Sequence, residues 1–408
     1  MTNDVKNVPG LRFPGFEDVW KEKNLGRVLD IKSGKAYKEN EYTIKGVPLL
    51  QGENINHNKL KKPTVFLPDS YLNDNKNTIL EKDDIVVGLN RPIIKNQLKI
   101  AKVSNEFIPG ILYQRSGKII YDKSKPDFYL NFFDKQIKEF VLKESVGSDQ
   151  PFISTIQLKK KRVYIPVNEN EIVLLNHFFS KLDRQIELEE QKLEKLEEQK
   201  KGYMQQIFSQ QLRFKDKNGN DYPEWEELLI SEIGKVVTGN TPSKKEKEYW
   251  NSNEYIWVTP TDISNKKNIY TSEHQLSQKG FEKARNLPKD TLLITCIASI
   301  GKNVILREQG SCNQQINAVI PFDEFDVDFL YYAFEKISKL MRRIAGKTAT
   351  QIVNKKIFEN LTLDIPITLE QQKIAKFLSK FDEAIEKQSD KIKLLKERKK
   401  GFLQKMFV

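Results

Sequence analysis

The 408-residue chain is 38% hydrophobic and 30% charged, with 68 Lys and Arg against 56 Asp and Glu for a net charge of +12. That length allows two or more domains, each with its own core. No apolar run nears the ~20 residues of a membrane helix, and Met1 to Gly10 lacks signal-peptide order, so a cytoplasmic protein with no membrane partner is expected. Cys296 and Cys312 are the only cysteines, too few for a disulfide framework or a cysteine metal site. The basic excess suits a polyanion, because neutralising phosphates releases condensed counterions.

In chain order, short segments rich in Ile, Val, Tyr and Thr between Gly, Asn and Pro breaks predict strands at Ile85–Leu89, Ile100–Val103, Ile119–Tyr121 and Val163–Ile165. A helix is predicted at Phe128–Lys143. Then Leu175, Phe179, Leu182, Ile186, Leu193, Leu196, Tyr203 and Ile207 keep a 3–4 residue spacing, which predicts one long helix. The second half follows the same order. Strands are predicted at Tyr255–Val258, Leu292–Cys296, Asn303–Leu306, Asn317–Pro321 and Leu361–Ile365, with a helix at Asp328–Ile344. A second long seam runs through Ile374, Leu378, Phe381, Ile385, Ile392, Leu395, Phe402 and Met406. Pro166 and Pro366 mark the two helix entries.

This order is a repeat with a period of about 200 residues. Residues 171–208 align without a gap on 370–407, and fifteen of the 38 pairs are identical, including Phe178/Phe377, Asp183/Asp382, Lys200/Lys399, Gly202/Gly401 and Phe208/Phe407. Both seams break at equivalent places, Glu189 and Gln388, then Lys200 and Lys399. Polar seam residues cost stability but fix register and partner. A pseudo-two-fold axis would pack the two helices antiparallel as rods of roughly 57 Å. The alternative is two independent amphipathic helices, each covering its own domain. The heads share only landmarks: Leu11–Phe13 with Leu212–Phe214, Trp20 with Trp225, and Gly34 with Gly239.

Catalytic motifs are weak throughout. Ala345–Gly346–Lys347–Thr348 resembles the end of a phosphate loop, yet the required first glycine falls at Met341. A basic loop meeting phosphates, helped by Arg342 and Arg343, fits better. Pro68–Asp69 and Asp74–Lys76 read as a solvated turn rather than a nuclease site. His57, His177 and His274 are scattered, with no metal-ligand spacing. Trp250, Trp257 and Phe281 read as core.

The second half carries Thr241–Pro242, Trp250, the run Ile256–Trp257–Val258–Thr259–Pro260–Thr261–Asp262–Ile263, Ala298–Ser299–Ile300–Gly301–Lys302, Asn313–Gln314–Gln315–Ile316–Asn317–Ala318, the loop from Gly346 to Gln351, and Pro366 leading to Glu370–Gln371 and Ile374. In that order it resembles the target-recognition domain and conserved helix of type I restriction–modification DNA-specificity subunits. The first half is a looser match, at Gly46 to Ile55, Asp84 to Asn90 and Gly147 to Pro151. It lacks the Ala–Ser–Ile–Gly–Lys element and enters its helix with Glu171–Ile172. The resemblance implies an α+β fold: two mixed α/β target-recognition domains separated by two long helices that form an antiparallel coiled coil, with an internal pseudo-two-fold repeat. The expected boundaries are 1–165 and 212–365 for the domains, and 166–211 and 366–408 for the spacer helices.

It further implies a chain that is non-catalytic by itself, with no cofactor or metal of its own, inside a DNA adenine methyltransferase and type I site-specific deoxyribonuclease complex. Each domain would read one half of a split, asymmetric target in double-stranded DNA. The helices would set the gap and dock two methyltransferase subunits carrying S-adenosylmethionine; motor-nuclease subunits using ATP and magnesium would join. Readers on one face of a duplex need separations near ~34 Å or multiples of it, which a helix can hold. The rival reading is a non-catalytic coiled-coil adaptor or DNA-binding protein without sequence specificity.

Specific reading needs side chains that hydrogen-bond base edges, while others hold phosphates. Lys35, Tyr37, Asn90, Arg91, Lys95, Arg115, Ser148 and Gln150 are the candidates in the first domain. Lys244, Lys245, Ser299, Lys302, Lys347, Thr348, Thr350 and Gln351 are those in the second.

Overall fold

The structure, a computed structural model, describes residues 7–75, 78–144, 152–250, 252–264, 266–297, 299–346 and 352–408. Its helices in chain order are α1 (Pro126–Glu144), α2 (Thr155–Lys160), α3 (Glu169–Phe208), α4 (Ile230–Ile233), α5 (Gln278–Lys283), α6 (Val327–Ala345), α7 (Lys355–Glu359) and α8 (Thr368–Met406). The chain forms two compact units. One comprises Met1–Glu190 with Lys391–Val408, the other Gln191–Asp390. Each unit therefore owns part of both long helices.

In the first unit four strands pair antiparallel in the spatial order Ile100–Lys102, Ile85–Gly88, Ser116–Ile120, Asp30–Ser33. A second sheet lays Ile111–Leu112 parallel to Val47–Leu50, which pairs antiparallel with Phe66–Leu67. Helix α1 closes the first sheet because Phe128, Phe132, Phe133, Ile137 and Val141 recur on one stripe and are all buried. Phe179 from α3, Met406 at the end of α8 and Phe407 just after it complete that core. Phe407 lies 5.5 Å from Phe179 and 6.3 Å from Trp20, centroid to centroid.

The second unit repeats the plan with a fifth strand. Its sheet runs Gly234–Thr238, Ile316–Pro321, Thr291–Thr295, Asn303–Leu306, Asn268–Ile269, the last pair being parallel. Its smaller sheet lays Gly310–Cys312 parallel to Tyr255–Val258, with His274–Leu276 antiparallel on the other side. Phe329, Tyr332, Ile337 and Met341 of α6 are buried against the larger sheet's core, and Phe208 at the end of α3 packs on Trp225 and Phe329. Trp257 and Phe281 are buried and Trp250 packs edge-on to Trp257 at 4.8 Å, so these rings are core.

The landmark glycines have a steric cause. A Cβ on Gly34 would meet the Leu112 carbonyl oxygen at 1.8 Å, and one on Gly239 would meet the Cys312 carbonyl oxygen at 2.2 Å. At both places two backbones cross too closely for any side chain.

Within each unit the helix segments run antiparallel. In the first, Phe178 meets Phe402 edge-on at 5.0 Å, Asp183 pairs with Lys399 at 2.6 Å, and Glu189 pairs with Lys391. In the second, Tyr203 meets Phe377 edge-on at 5.1 Å and Lys200 pairs with Asp382 at 2.8 Å. These are the same contacts at repeated positions, so the helices pair with each other and the reading of two independent amphipathic helices falls.

Leu175, Phe179, Ile186, Ile374, Leu378, Ile392 and Leu395 are buried in the seam. Leu182, Leu193, Leu196, Phe381, Ile385 and Phe402 are half-buried. Tyr203 is a correction in degree: it is 36% exposed, a rim residue whose ring face serves Phe377 and Phe381. Phe178 and Phe377, outside the predicted seam, supply the partner rings for Phe402 and Tyr203.

The lysines that break the seam sit where the helices meet the heads. Each pairs with an aspartate of the facing helix and lies in the field of a buried acid on the head, Asp134 for Lys399 and Glu335 for Lys200. Burial pushes both carboxyls up, and the lysines oppose that. In the second unit Tyr332 completes the group, donating to Asp382 under the cations of Lys200 and Lys267, 5.2 and 5.3 Å from its ring.

Candidate nucleic-acid interface

Three segments converge at the same place in each unit, and the same backbone hydrogen bonds tie them. After the strand Val47–Leu50, a turn is closed by Asn54 N donating to Gln51 O at 3.0 Å and Gln51 N donating to Asn54 Oδ1 at 2.9 Å. After the strand Tyr255–Val258, Asp262 N donates to Thr259 O at 3.0 Å and Thr259 N to Asp262 Oδ2 at 2.8 Å. A second turn lies alongside: Tyr113 N donates to Leu50 O and Ser116 N to Tyr113 O, matched by Asn313 N to Val258 O and Ile316 N to Asn313 O. The third segment is the end of a central strand. Leu89 N donates to Arg115 O, and Cys296 N donates to Gln315 O.

A further extended segment returns to this junction in each unit. Phe152 bridges Asn90, with Ile153 N donating to Leu89 O; Ile352 bridges Ile297, with Val353 N donating to Cys296 O. The candidates Ser148 and Gln150, and Lys347, Thr348, Thr350 and Gln351, lie outside the described residues. Their flanking residues are nevertheless anchored at this junction.

In the first unit the junction forms an open cavity of about 530 Å³ lined by Gln51, Gly52, Glu53, Asn90, Arg91, Lys99, Tyr113 and Arg115. The sequence candidates Asn90, Arg91 and Arg115 thus come together from segments far apart in the chain. Arg91 is held at φ +44°, a left-handed conformation that a non-glycine residue adopts at a cost. Lys95 turns a hairpin just beyond it, at φ +47°, with its side chain exposed. Burial, and then the like charges of Lys61 and Arg91, depress the Lys99 ammonium. Crowded cations with unmet attraction are what a phosphate relieves.

The remaining candidates divide. Lys35 is exposed beside Tyr113, its Nζ donating to the Asp74 carbonyl. Tyr37 is a correction: it is 8% exposed, its ring tilted against Tyr71, and its hydroxyl donates to Asn75 Oδ1 at 3.0 Å, so it is core and its proton is committed. Ser299 and Lys302 lie on the turn joining Thr291–Thr295 to Asn303–Leu306, which leaves the junction of the second unit. Gly301 makes that turn at φ +80°, and Arg342 Nε donates to the Ile300 carbonyl beside it. Lys244 and Lys245 are exposed on the turn Ser243–Glu246, just beyond Thr241, whose hydroxyl donates to Gln314 Oε1 at 2.7 Å beside the junction.

The sequence reading missed Gln51, Glu53, Lys99 and Tyr113. Gln51 and Glu53 lie within the Gly46–Ile55 match without being singled out by it; the parallel pairing of Val47–Leu50 with Ile111–Leu112 brings them beside Tyr113, and Lys99 arrives through Gly88 N donating to Lys99 O. Among the described residues no group of three or more His, Cys, Asp or Glu is placed to hold a metal ion, and no helix is long and apolar enough to cross a membrane.

The sequence profile of the type I restriction modification DNA specificity domain matches this chain twice, at residues 17–198 and 222–396. The chain is 34% identical over 207 residues to the MjaVIII type I restriction enzyme specificity subunit of Methanocaldococcus jannaschii, an alignment covering 49% of this chain and 48% of that protein. For the MjaIX specificity subunit of the same organism the figures are 32% over 197 residues, with 47% and 45% covered. The chain thus spans about half the length of these curated relatives in those alignments. A putative MjaX specificity subunit aligns at 24% identity over 405 residues, 93% of this chain and 91% of the relative. Among solved structures, the type I restriction–modification S subunit from M. genitalium matches with a TM-score of 0.61 at 15% identity, covering 98% of this chain and 99% of that one. A chain from a type I R-M system solved for its assembly and conformational transition matches at 0.57 and 16%, with the same coverage. These likenesses show the two-unit α+β fold with its paired long helices. With both repeats matched to one profile and most of its length accounted for, the chain belongs to the type I restriction–modification DNA-specificity family.

Proposed function

We propose that this chain is the DNA-reading subunit of a type I restriction–modification complex, each unit recognising one half of a split target in double-stranded DNA. The observation that carries the proposal is the repeated junction. One backbone framework, held by the same hydrogen bonds in both units, presents different side chains in each. A shared frame with divergent lining suits two readers of one kind that read two sequences. Arg91, Lys99 and Arg115 supply charge for phosphates, and Asn90 an amide whose donor and acceptor match an adenine edge.

On this reading the chain performs no bond-making step. Methyl transfer from S-adenosylmethionine to adenine belongs to two modification subunits docked on it. ATP- and magnesium-dependent restriction belongs to motor-nuclease subunits, all in the cytoplasm beside the DNA. Selection of bound sequences from a randomised duplex library tests the reading, using the full chain at two salt concentrations. One two-part motif with a fixed gap, weakened by salt, is the expected result. Binding without sequence preference would leave only a non-specific DNA-binding adaptor. Methyladenine mapping in cells expressing the chain with its modification subunit, against either alone, tests the partner.

A further inference from the structure

The junction holds one group that phosphate binding does not explain. Glu53 lines the cavity of the first unit together with Arg91, Lys99 and Arg115. It is exposed, and its charge acts on Lys99 across the cavity to favour the ammonium. A carboxylate has no donor and repels phosphate, so it weakens any surface whose only task is to hold a DNA backbone. In the major groove the groups it can bind are base amino groups, cytosine N4 or adenine N6, which donate there.

The equivalent position in the second unit carries the opposite chemistry. The turn Gln51–Asn54 corresponds to Thr259–Asp262 through the same pair of hydrogen bonds, which places Thr261 where the first unit has Glu53. Thr261 is exposed, and its hydroxyl lies 2.7 Å from that of Thr259. Across the junction Arg115 is matched by Gln315, whose Oε1 accepts from Asn313 Nδ2 at 3.1 Å. Where one unit carries charged groups, the equivalent positions of the other carry a neutral hydroxyl and an amide.

Resting on the DNA-reading function above, we infer that this strand-end turn determines specificity in both units. Glu53 accepts a hydrogen bond from a cytosine or adenine amino group in one half-site, and Thr261 occupies the same place over the other half-site with a hydroxyl that can donate or accept. Both residues are exposed and lie outside the cores, so their replacement leaves the folded units intact.

The test is selection from a randomised duplex library with the full chain as wild type, Glu53→Gln and Thr261→Val, with thermal melting of each variant as the control for folding. Glu53→Gln is expected to lower discrimination about ten-fold or more at one base pair of one half-site, leaving the other half unchanged. Thr261→Val is expected to alter only the other half. Two variants that return the wild-type motif would overturn the inference while the DNA-reading function stands. So would a loss spread evenly over all sequences, which would make these residues general contacts. A wild-type chain that enriches no motif would instead remove the function on which the inference rests.

Discussion

Arg12 and Glu171, 159 residues apart, meet in two side-by-side hydrogen bonds, Nε to Oε1 at 2.6 Å and Nη2 to Oε2 at 2.8 Å. The second unit makes the same fork from Arg213 to Glu370, with Trp225 Nε1 adding a third bond at 3.2 Å. Each glutamate lies in the first turn of its long helix, where a negative charge is favoured by the helix dipole. Glu171 is 1% exposed, so removing the arginine leaves a carboxylate stranded. Arg12→Met is expected to cost the first unit about 3 kcal/mol or more. Chemical denaturation followed by a probe in that unit checks this, and Arg12→Met combined with Glu171→Met should recover most of the loss.

Phe407 is predicted to matter to residues far from it in sequence. It fills a pocket among Trp20, Phe128, Phe132 and Phe179. Phe407→Ala should destabilise the first unit by about 3–5 kcal/mol. Hydrogen exchange should show protection falling in α1 and in the sheet beneath it. Phe208→Ala should transfer the effect to α6 and the second unit.

The Asp134 carboxyl, buried and 3.6 Å from His57 Nδ1, titrates above the usual aspartate range because burial disfavours its charge, although His57 and then Lys399 oppose the shift. An acid raised in the folded state favours folding below its unfolded value, and that contribution disappears as the pH rises through the folded value. Asp134→Asn removes the titration. The variant is expected to gain stability relative to wild type as the pH climbs from about 4 towards 7. Melting temperatures across that range check the sign.

Burial pushes the thiols of Cys296 and Cys312 up to about 12. Thiolate is the reactive form, so both should be inert to a thiol reagent at neutral pH in the native protein. Both should react once the chain is unfolded, and rapid native labelling of either would contradict the packing around Asn317 and Cys296.

Much of the scaffold was legible because it is written in periodicity. The seam gave both long helices to within a few residues, and the strands Tyr255–Val258 and Asn303–Leu306 occur as predicted. Gly34 and Gly239 stood out as landmarks before their crossing backbones explained them. The interface was legible in part. Asn90, Arg91 and Arg115 were chosen for side-chain chemistry and do share one cavity. Tyr37 was chosen on the same grounds and proved to be core, since an aromatic hydroxyl reads alike in both settings. Glu53 lies within the Gly46–Ile55 match, but nothing in the sequence singles out this acid from the other exposed ones. Lys99 was passed over because its neighbours in space come from separate segments.

The division of the chain also bears on its synthesis. Gln191–Asp390 is one continuous stretch, whereas the unit that begins at the N-terminus still needs Lys391–Val408, including Phe407. On the ribosome the later-made unit therefore has all its parts first. The earlier-made one waits with the pocket beside Trp20 and Phe128 open to water until Lys391–Val408 emerge. Vectorial translation and completion of structure run in opposite orders here, and a chaperone that shields apolar surface would find its longest-lived target at the N-terminal end.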